Sequence, residues 1–221
     1  MNKVLIFGTT MFSKEMMYIL QEDGGWQIEG FTLDQAYKTE EEFCGLPVFA
    51  FEMLDDIFDM SEVGILPTIG YSEMNDHRER FFKACESKGY TIHSYIDKTA
   101  IIHAKKIGSG NLIFDHVNLS YDSVVGKGNI FKGSAVIAHD SVVGDFNYFA
   151  GLNHIAGATK IGDKNFFGIS SIVRSKGKIG NKNLIGAATY VNEELGKFMV
   201  VSQAKNRLVQ STQKAISVYL K

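Results

Sequence analysis

One histidine and the aspartate that follows it, His139 and Asp140, are the pair of side chains in this sequence best suited to proton transfer. An imidazole can take a proton from an attacking amine or hydroxyl. Reactions in which an amine or hydroxyl attacks a carbonyl carbon need such a base, together with donors for the oxyanion that develops. An outward-facing histidine is otherwise an ordinary surface residue, so the elements around the pair decide whether it can act.

Those elements belong to a repeat, because an apolar residue stands at every sixth position from Ile101 to Val191 without a break. The sixteen residues are Ile101, Ile107, Ile113, Leu119, Val125, Phe131, Ile137, Val143, Phe149, Ile155, Ile161, Phe167, Val173, Ile179, Ile185 and Val191. A period of six fits neither one face of an α-helix nor one face of an ordinary strand. It predicts a solenoid of short strands and turns.

A second period defines the coil, since the pattern [Ile/Val]-Gly-x-x-Asn recurs every eighteen residues. Its glycines are Gly108, Gly126, Gly144, Gly162 and Gly180. Three hexads therefore close one triangular coil, and stacked coils bury the apolar side of each repeat. Five such coils form a prism roughly 25 Å tall at ~4.8 Å per strand.

The same period gives the histidine its neighbours. His139 lies at a corner, two residues after the core residue Ile137, and so faces outward. Gly157 stands directly above it on the next coil, and Ser175 follows one coil further. Because Gly157 has no side chain, its amide can face a carbonyl group that reacts beside the histidine. We therefore predict that this amide is an oxyanion donor.

The first hundred residues alternate between strand and helix patterns. Strands are predicted at 3–7, 26–32, 63–69 and 91–96, and helices at 14–21, capped by Ser13, and at 75–88, ending before Gly89. This alternation favours a small, mostly parallel sheet of the Rossmann kind. Ligands bind such sheets at the carboxyl ends of the strands, which makes Gly8, Thr10, Asp34 and Gly70 candidate ligand-binding residues.

The loop after Gly8 lacks the further glycines of a dinucleotide fingerprint, which disfavours a full NAD or FAD site. Two alternatives remain. The loop binds a nucleotide diphosphate through backbone amides and the Thr hydroxyls, or the sheet only supports the solenoid. A net charge of -2 over 221 residues suggests neither nucleic acid nor an acidic membrane as a partner. Cys44 and Cys85 lack metal-ligand spacing, and no segment is apolar enough for membrane insertion, so we expect a cytoplasmic protein without a metal.

The repeat and the stretch 136–145, Val-Ile-Ala-His-Asp-Ser-Val-Val-Gly-Asp, resemble the hexapeptide-repeat acyltransferases. With the N-terminal segment, the chain is similar over residues 3 to about 205 to bacterial sugar acyltransferases. These include UDP-4-amino-sugar N-acetyltransferases and sialic-acid O-acetyltransferases. The resemblance implies a left-handed parallel β-helix, a homotrimer with active sites between the prisms, and acetyl-CoA as co-substrate.

The resemblance also implies roles for individual residues. His139 would be the general base, and Asp140 would raise its basicity. Tyr148, Ile169 and Ala187 match places that contact the coenzyme, whose pantetheine arm would run along the coil edges past Gly157 and Ser175. The family loop Gly-x-x-Gly-His reads Gly8-Thr9-Thr10-Met11-Phe12 here, whereas Asp34 and Gly70 match the other two nucleotide loops.

The resemblance divides the chain into residues 1–97, a Rossmann-like nucleotide-sugar-binding domain, residues 98–192, a left-handed β-helix acyltransferase domain, and residues 193–221, a C-terminal loop and capping helix. It implies N-acetylation of a nucleotide-linked amino-deoxy sugar for bacterial surface glycan synthesis, such as O-antigen, capsule or glycoprotein. The alternatives are O-acetylation of a sugar such as a sialic acid, and a non-catalytic trimeric ligand-binding scaffold.

A rival interpretation comes from His103, which lies thirty-six residues before His139. Hexapeptide carbonic anhydrases hold a metal with histidines two coils apart and a third five residues later. The third position here is Gly144, and three protein ligands are usual for catalytic zinc, so we predict no metal. His154, which also faces outward, is the second candidate for a functional histidine. His77, His93 and His116 are interpreted as surface groups.

Overall fold

The N-terminal part of the chain forms a five-stranded sheet in the computed structural model, which describes residues 1–203. Its strands are β1 (Asn2–Phe7), β2 (Trp26–Leu33), β3 (Glu42–Phe43), β4 (Leu46–Ala50) and β5 (Val63–Pro67). The spatial order is β3-β4-β2-β1-β5, and every neighbouring pair is parallel except β3 with β4. The carboxyl ends of β1, β2 and β5 therefore meet at one edge.

The helices that flank this sheet are α1 (Met11–Asp23), α2 (Leu54–Ile57) and α3 (Asp76–Lys88), with 3₁₀ segments at Gln35–Tyr37, Phe51–Met53 and Ser72–Asn75. The predicted cap Ser13 is wrong, because Thr10 adopts the extended N-cap conformation and α1 begins at the next residue. Ser13 Oγ lies inside the first turn and accepts a hydrogen bond from the Thr10 N–H at 3.2 Å. The stop predicted at Gly89 is confirmed by its left-handed φ of 73°.

The fourth predicted strand, 91–96, does not join the N-terminal sheet along its length. Only a single bridge pairs Ile92 with Ile65. The last two residues, Tyr95–Ile96, instead form β6, which pairs with a strand of the solenoid. The segment therefore carries the chain from one sheet system to the next.

The chain then winds into a parallel β-helix with three sheets. The first sheet contains β6 (Tyr95–Ile96), β9 (Leu112–Ile113), β12 (Ile130–Phe131), β15 (Tyr148–Phe149), β18 (Phe166–Phe167), β21 (Leu184–Ile185) and β23 (Val200–Val201). The second contains β7 (Ile101–Ile102), β10 (Asn118–Leu119), β13 (Val136–Ile137), β16 (His154–Ile155), β19 (Ile172–Val173) and β22 (Tyr190–Val191). The third contains β8 (Lys106–Ile107), β11 (Val124–Val125), β14 (Val142–Val143), β17 (Lys160–Ile161) and β20 (Lys178–Ile179).

The core of the β-helix confirms the hexad from Ile107 onward. The rings of Phe131, Phe149 and Phe167 stack at centroid distances of 4.7 and 4.5 Å. The first hexad position is wrong, because Leu119 pairs with Ile102 and Ile101 is 50% exposed. Both residues of this strand are apolar, and only one neighbouring strand sets its register at the end of the sheet, so the period alone does not select the inward residue.

Asparagine side chains tie each coil to the next. Asn111 Oδ1 accepts the Asn129 N–H at 2.8 Å, and Asn129 Oδ1 accepts the Asn147 N–H at the same distance. The ladder continues through Asn165 and Asn183. The eighteen-residue step predicted from the sequence thus appears as a column of buried hydrogen bonds.

Arg78, on α3, joins the N-terminal part to the β-helix. Its guanidinium is fully buried and donates to the carbonyls of Gly128 at 2.7 Å and Phe146 at 2.8 Å, both on the β-helix. It also donates to the carbonyls of Ile69 at 3.0 Å and Gly70 at 2.6 Å. Burial lowers the pKa of Arg78 to about 9, so the group stays charged at neutral pH.

An ion-pair cluster supports the same joint, since the Asp76 carboxylate pairs with the ammonium of Lys164 at 3.0 Å and with that of Lys182 at 2.7 Å.

None of the helices within residues 1–203 is long and apolar enough to cross a membrane. The predicted C-terminal helix falls within residues 204–221 and lies outside the described part of the chain.

Candidate active site and ligand cavity

His139 and Asp140 form a hydrogen-bonded pair at the corner between the second and third sheets. His139 Nδ1 lies 2.7 Å from Asp140 Oδ2, and the two side chains are 68% and 61% exposed. Asp140 has a left-handed φ of 57°, and its N–H donates to the Tyr121 carbonyl on the coil below. When Nδ1 carries the proton and donates it to Asp140, Nε2 keeps its lone pair for a proton from a substrate.

Gly157 lies against the His139 ring, as the eighteen-residue step predicts. A methyl group placed on Gly157 would come within 2.7 Å of His139 Nε2 and 2.8 Å of Cε1. The amide of the next residue, Ala158, donates to the His139 carbonyl at 2.9 Å and so fixes the two corners against each other. Among residues 1–203 no group accepts the Gly157 N–H. A proton acceptor and an uncommitted donor therefore stand side by side.

Replacing Gly157 with alanine should lower kcat by about 10- to 100-fold while leaving the fold stable. The new Cβ takes the space of the imidazole edge, so the ring must rotate away from its Asp140 contact. The backbone N–H is retained, and Gly157 has no positive φ to strain an alanine. Steady-state kinetics with a thermal melt will measure both effects.

Gly196→Ala is the matched control, because a Cβ there meets no atom within 4 Å. Its kcat should equal that of the unmodified protein. Unchanged kcat in Gly157→Ala would mean that the observed ring position is not the one that acts in catalysis.

The four predicted substrate-binding residues, Gly8, Thr10, Asp34 and Gly70, line one cavity of about 730 Å³. The cavity opens at the carboxyl edge where β1, β2 and β5 end. Aromatic rings make up much of the remaining wall, namely Phe7, Phe12, Tyr37, Tyr71 and Tyr148. The structure therefore brings the three predicted loops together around a space large enough for a small organic ligand.

The first of these loops is held by a chain of hydroxyls behind it. Thr68 Oγ1 donates to the Phe7 carbonyl at 2.7 Å and lies 2.7 Å from Ser13 Oγ. Gly8 adopts a φ of 118°, and a Cβ there would stand 2.9 Å from Ser13 Oγ. Only glycine fits this turn without displacing the hydroxyls, which explains its presence at the end of β1.

Asp34 places a carboxylate in the cavity wall beside His77. Burial raises the pKa of Asp34, the nearby Glu52 raises it further, and His77 opposes both. His77, interpreted from the sequence as a surface group, is half-buried and lines the same cavity. Its position at the second residue of α3, directly after the Gly70 loop, is the sequence signal that could have identified it.

Tyr148, one of the predicted coenzyme contacts, also lines this cavity. It is the outward residue of β15, packs on Phe166 at 5.5 Å and meets the Tyr71 ring at 5.2 Å. The Tyr71 contact crosses from the β-helix to the Gly70 loop. Burial raises the pKa of the Tyr148 hydroxyl, with Tyr71 raising it further.

The predicted coenzyme contacts do not meet at one place in a single chain. Gly157 and Ser175 lie on the corner column of His139, between the second and third sheets. Ile169 and Ala187 lie on the corner between the first and second sheets, where the Ala188 N–H donates to the Ile169 carbonyl at 2.8 Å. One six-residue segment of strand separates the two corners, so they lie at most about 20 Å apart. His139 does not line the cavity.

The surroundings of His139 contain no metal-binding cluster. Among residues 1–203 no group of three His, Cys, Asp or Glu side chains is placed to hold an ion. His103 instead stacks on Tyr121 at 4.2 Å, and Tyr121 occupies the coil between His103 and His139. The second histidine candidate, His154, is exposed on β16, and its imidazole makes no hydrogen bond or ion pair within residues 1–203.

Solved structures with the same architecture include those of the proteins PglB, PerB and WeeI. The acetyltransferase domain of PglB from Neisseria gonorrhoeae has a TM-score of 0.79 and 19% identity, covering 90% of this chain and 96% of that one. PerB from Caulobacter crescentus, solved in complex with CoA and GDP-perosamine, has a TM-score of 0.78 and 20% identity, covering 90% and 92%.

WeeI from Acinetobacter baumannii has a TM-score of 0.73 and 19% identity, covering 90% of this chain and 96% of that one. No protein-family model matches this chain, and no curated protein matches it. At this level of identity the three structures show that this chain shares their fold over nearly its whole length.

Proposed function

We propose that this protein is an acetyl-CoA-dependent N-acetyltransferase acting on a nucleotide-linked amino-deoxy sugar. The observation that carries the proposal is the His139–Asp140 pair, hydrogen-bonded at 2.7 Å and packed over the open amide of Gly157. The aromatic cavity at the carboxyl edge of the N-terminal sheet supports it, because such an edge is where nucleotides bind. Of the structures with this fold, PerB was solved with CoA and GDP-perosamine.

The reaction follows from the geometry of the pair. His139 Nε2 accepts a proton as the amine of the sugar attacks the thioester carbonyl, and Asp140 stabilises the imidazolium that forms. The Gly157 N–H donates to the oxyanion of the tetrahedral intermediate. When the intermediate collapses, the C–S bond breaks and the imidazolium returns its proton to the departing thiolate, which gives CoA and the amide.

The same proposal assigns roles to the parts of the chain. Residues 1–97 act as a Rossmann-like domain that binds the nucleotide sugar, residues 98–192 as a left-handed β-helix that carries the chemistry, and residues 193–221 as a C-terminal loop and cap. Gly8, Thr10, Asp34 and Gly70 bind the substrate, with no metal involved. The protein would act in the cytoplasm on precursors of bacterial surface glycans.

The two separated corners support a homotrimer. If one copy places its His139 corner against the corner of a neighbour that carries Ile169 and Ala187, the pantetheine arm can contact both columns. Tyr148 then lies at the cavity end of this path, beside Tyr71. Light scattering of the purified protein should give three times the mass of the chain, and a monomeric active enzyme would contradict this assembly.

A panel of nucleotide amino sugars with acetyl-CoA tests the proposed reaction. UDP-, dTDP- and GDP-linked amino sugars would be compared with free and CMP-linked sialic acids, with CoA release and product mass as readouts. We expect CoA release and a single added acetyl group on an amino sugar. Acetylation of sialic acids alone would favour the O-acetyltransferase, towards which the altered Gly8–Phe12 loop points. Failure to bind acetyl-CoA would favour the scaffold.

A further inference from the structure

Lys132 is the only lysine or arginine that lines the ligand cavity in the described chain. It does not belong to the N-terminal sheet, since it follows β12 in the first turn after Phe131 on the β-helix. Its side chain is 19% exposed, so most of it is enclosed between the two parts of the molecule. The cavity wall also carries two carboxylates, Glu15 and Asp34, which would repel an anionic ligand.

The ammonium of Lys132 lies over the beginning of α1. Nζ is 4.3 Å from the ring centroid of Phe12 and 3.9 Å from that of Phe114, and 2.7 Å from Glu15 Oε2. Phe12 is the second residue of α1, whose 13 residues give its first turn a partial positive charge. The lysine therefore adds a full positive charge beside a helix end that already favours anions.

The contact with Glu15 is easily exchanged, because the Glu15 side chain is 49% exposed. An ion pair with one partner half in water contributes little to stability, and a freed Glu15 returns to solvent at low cost. A phosphate oxygen makes a stronger charge-assisted hydrogen bond to an ammonium. Phe12 and Phe114 hold the ammonium in the cavity whichever anion it contacts.

From this geometry we propose that Lys132 binds the diphosphate of a nucleoside-diphosphate ligand, replacing Glu15 with phosphate oxygens. The inference rests on the proposed function, because it concerns the same cavity and specifies how the nucleotide is held. Lys132 belongs to the β-helix and α1 to the N-terminal part of the chain, so the diphosphate bridges the two parts. Asp34, on the opposite loop, remains available for hydroxyl or N–H donors of the nucleoside.

Calorimetric titration of the full-length protein tests the role of Lys132. UDP, GDP and dTDP would each be compared with the corresponding nucleoside, for the unmodified protein and for Lys132→Met. We expect Lys132→Met to weaken binding of the preferred diphosphate by about 10- to 100-fold and to leave nucleoside binding within about twofold. Raising the salt concentration should weaken diphosphate binding less in the variant than in the unmodified protein.

Three further variants make the result specific. Lys160→Met, on the third sheet outside the cavity, should bind like the unmodified protein. Lys132→Arg keeps the charge and should retain most of the diphosphate affinity, whereas Glu15→Gln should strengthen it by removing a competitor. Thermal melts would establish that all four variants fold.

Diphosphate binding that is unchanged in Lys132→Met would overturn the inference alone and leave the proposed enzyme intact. Equal weakening of nucleoside and diphosphate would also overturn it, since that pattern reports a damaged cavity and not a lost charge contact. An unmodified protein that binds none of the three diphosphates would overturn both this inference and the nucleotide-sugar substrate.

Discussion

Replacing His139 with alanine is expected to lower kcat by about 10²- to 10⁴-fold, the usual contribution of a positioned general base. The residual rate comes from holding the amine and the thioester together, which does not require the imidazole. KM should change little, because the ligand cavity is lined by other residues. The side chain is 68% exposed, so its loss should not destabilise the fold. Steady-state kinetics with a thermal melt will measure these effects.

His154→Ala is the matched control for this experiment. It removes a second exposed histidine from the β-helix, on β16, and should leave kcat unchanged. Asp140→Asn should give a smaller loss than His139→Ala, since asparagine tolerates the left-handed φ of 57° but cannot stabilise the imidazolium. Full activity in His139→Ala, or a loss of equal size in His154→Ala, would contradict the assignment of His139 as base.

Replacing Arg78 with methionine is expected to lower the free energy of unfolding by about 3–5 kcal/mol. The variant leaves carbonyls of Gly128, Phe146 and Ile69 buried without a donor, and each such group costs about 1–3 kcal/mol. For a chain of this size each lost kcal/mol lowers Tm by about 2–4 °C. A urea titration monitored by circular dichroism will give the free energy, and a thermal scan the shift in Tm.

The folded fraction of Arg78→Met should also show altered kinetics. Arg78 donates to the Gly70 carbonyl, which lies in the wall of the cavity. We expect KM for the nucleotide sugar to rise more than kcat falls. Arg80→Met is the control: this arginine is on the same helix, is 58% exposed and pairs only with Glu73 in the described chain. Equal stability of the two variants would show that the buried hydrogen bonds of Arg78 do not hold the two parts together.

The fold of the β-helix was predictable because its information is local and repeated. Each coil presents the same apolar positions, glycines and asparagines, so the periods of six and eighteen predict the strands, the corners and the vertical neighbours together. For this reason the spacing alone places Gly157 beside His139. The prediction failed at Ile101, where the neighbouring strand and not the period sets the register.

The cavity was only partly predictable. Gly8, Asp34 and Gly70 follow strands whose ends meet by a general rule of parallel sheets, and they do line one space. His77 was not assigned to the cavity, since its place there depends on the orientation of α3 as well as on its position after the Gly70 loop. That orientation is set by Arg78 and by the pairing of Asp76 with Lys164.

The repeat, the corner pair His139–Asp140 and the loops at the sheet edge follow from the sequence, since each depends on spacing along the chain. Two contacts depend instead on how the parts pack: Lys132 enters the cavity, and Arg78 joins the Gly70 loop to the β-helix. These residues lie 117 and 50 positions from the partners they meet, Glu15 and Gly128. Contacts between elements with different periods leave no pattern in a single sequence, and packing alone brings them together.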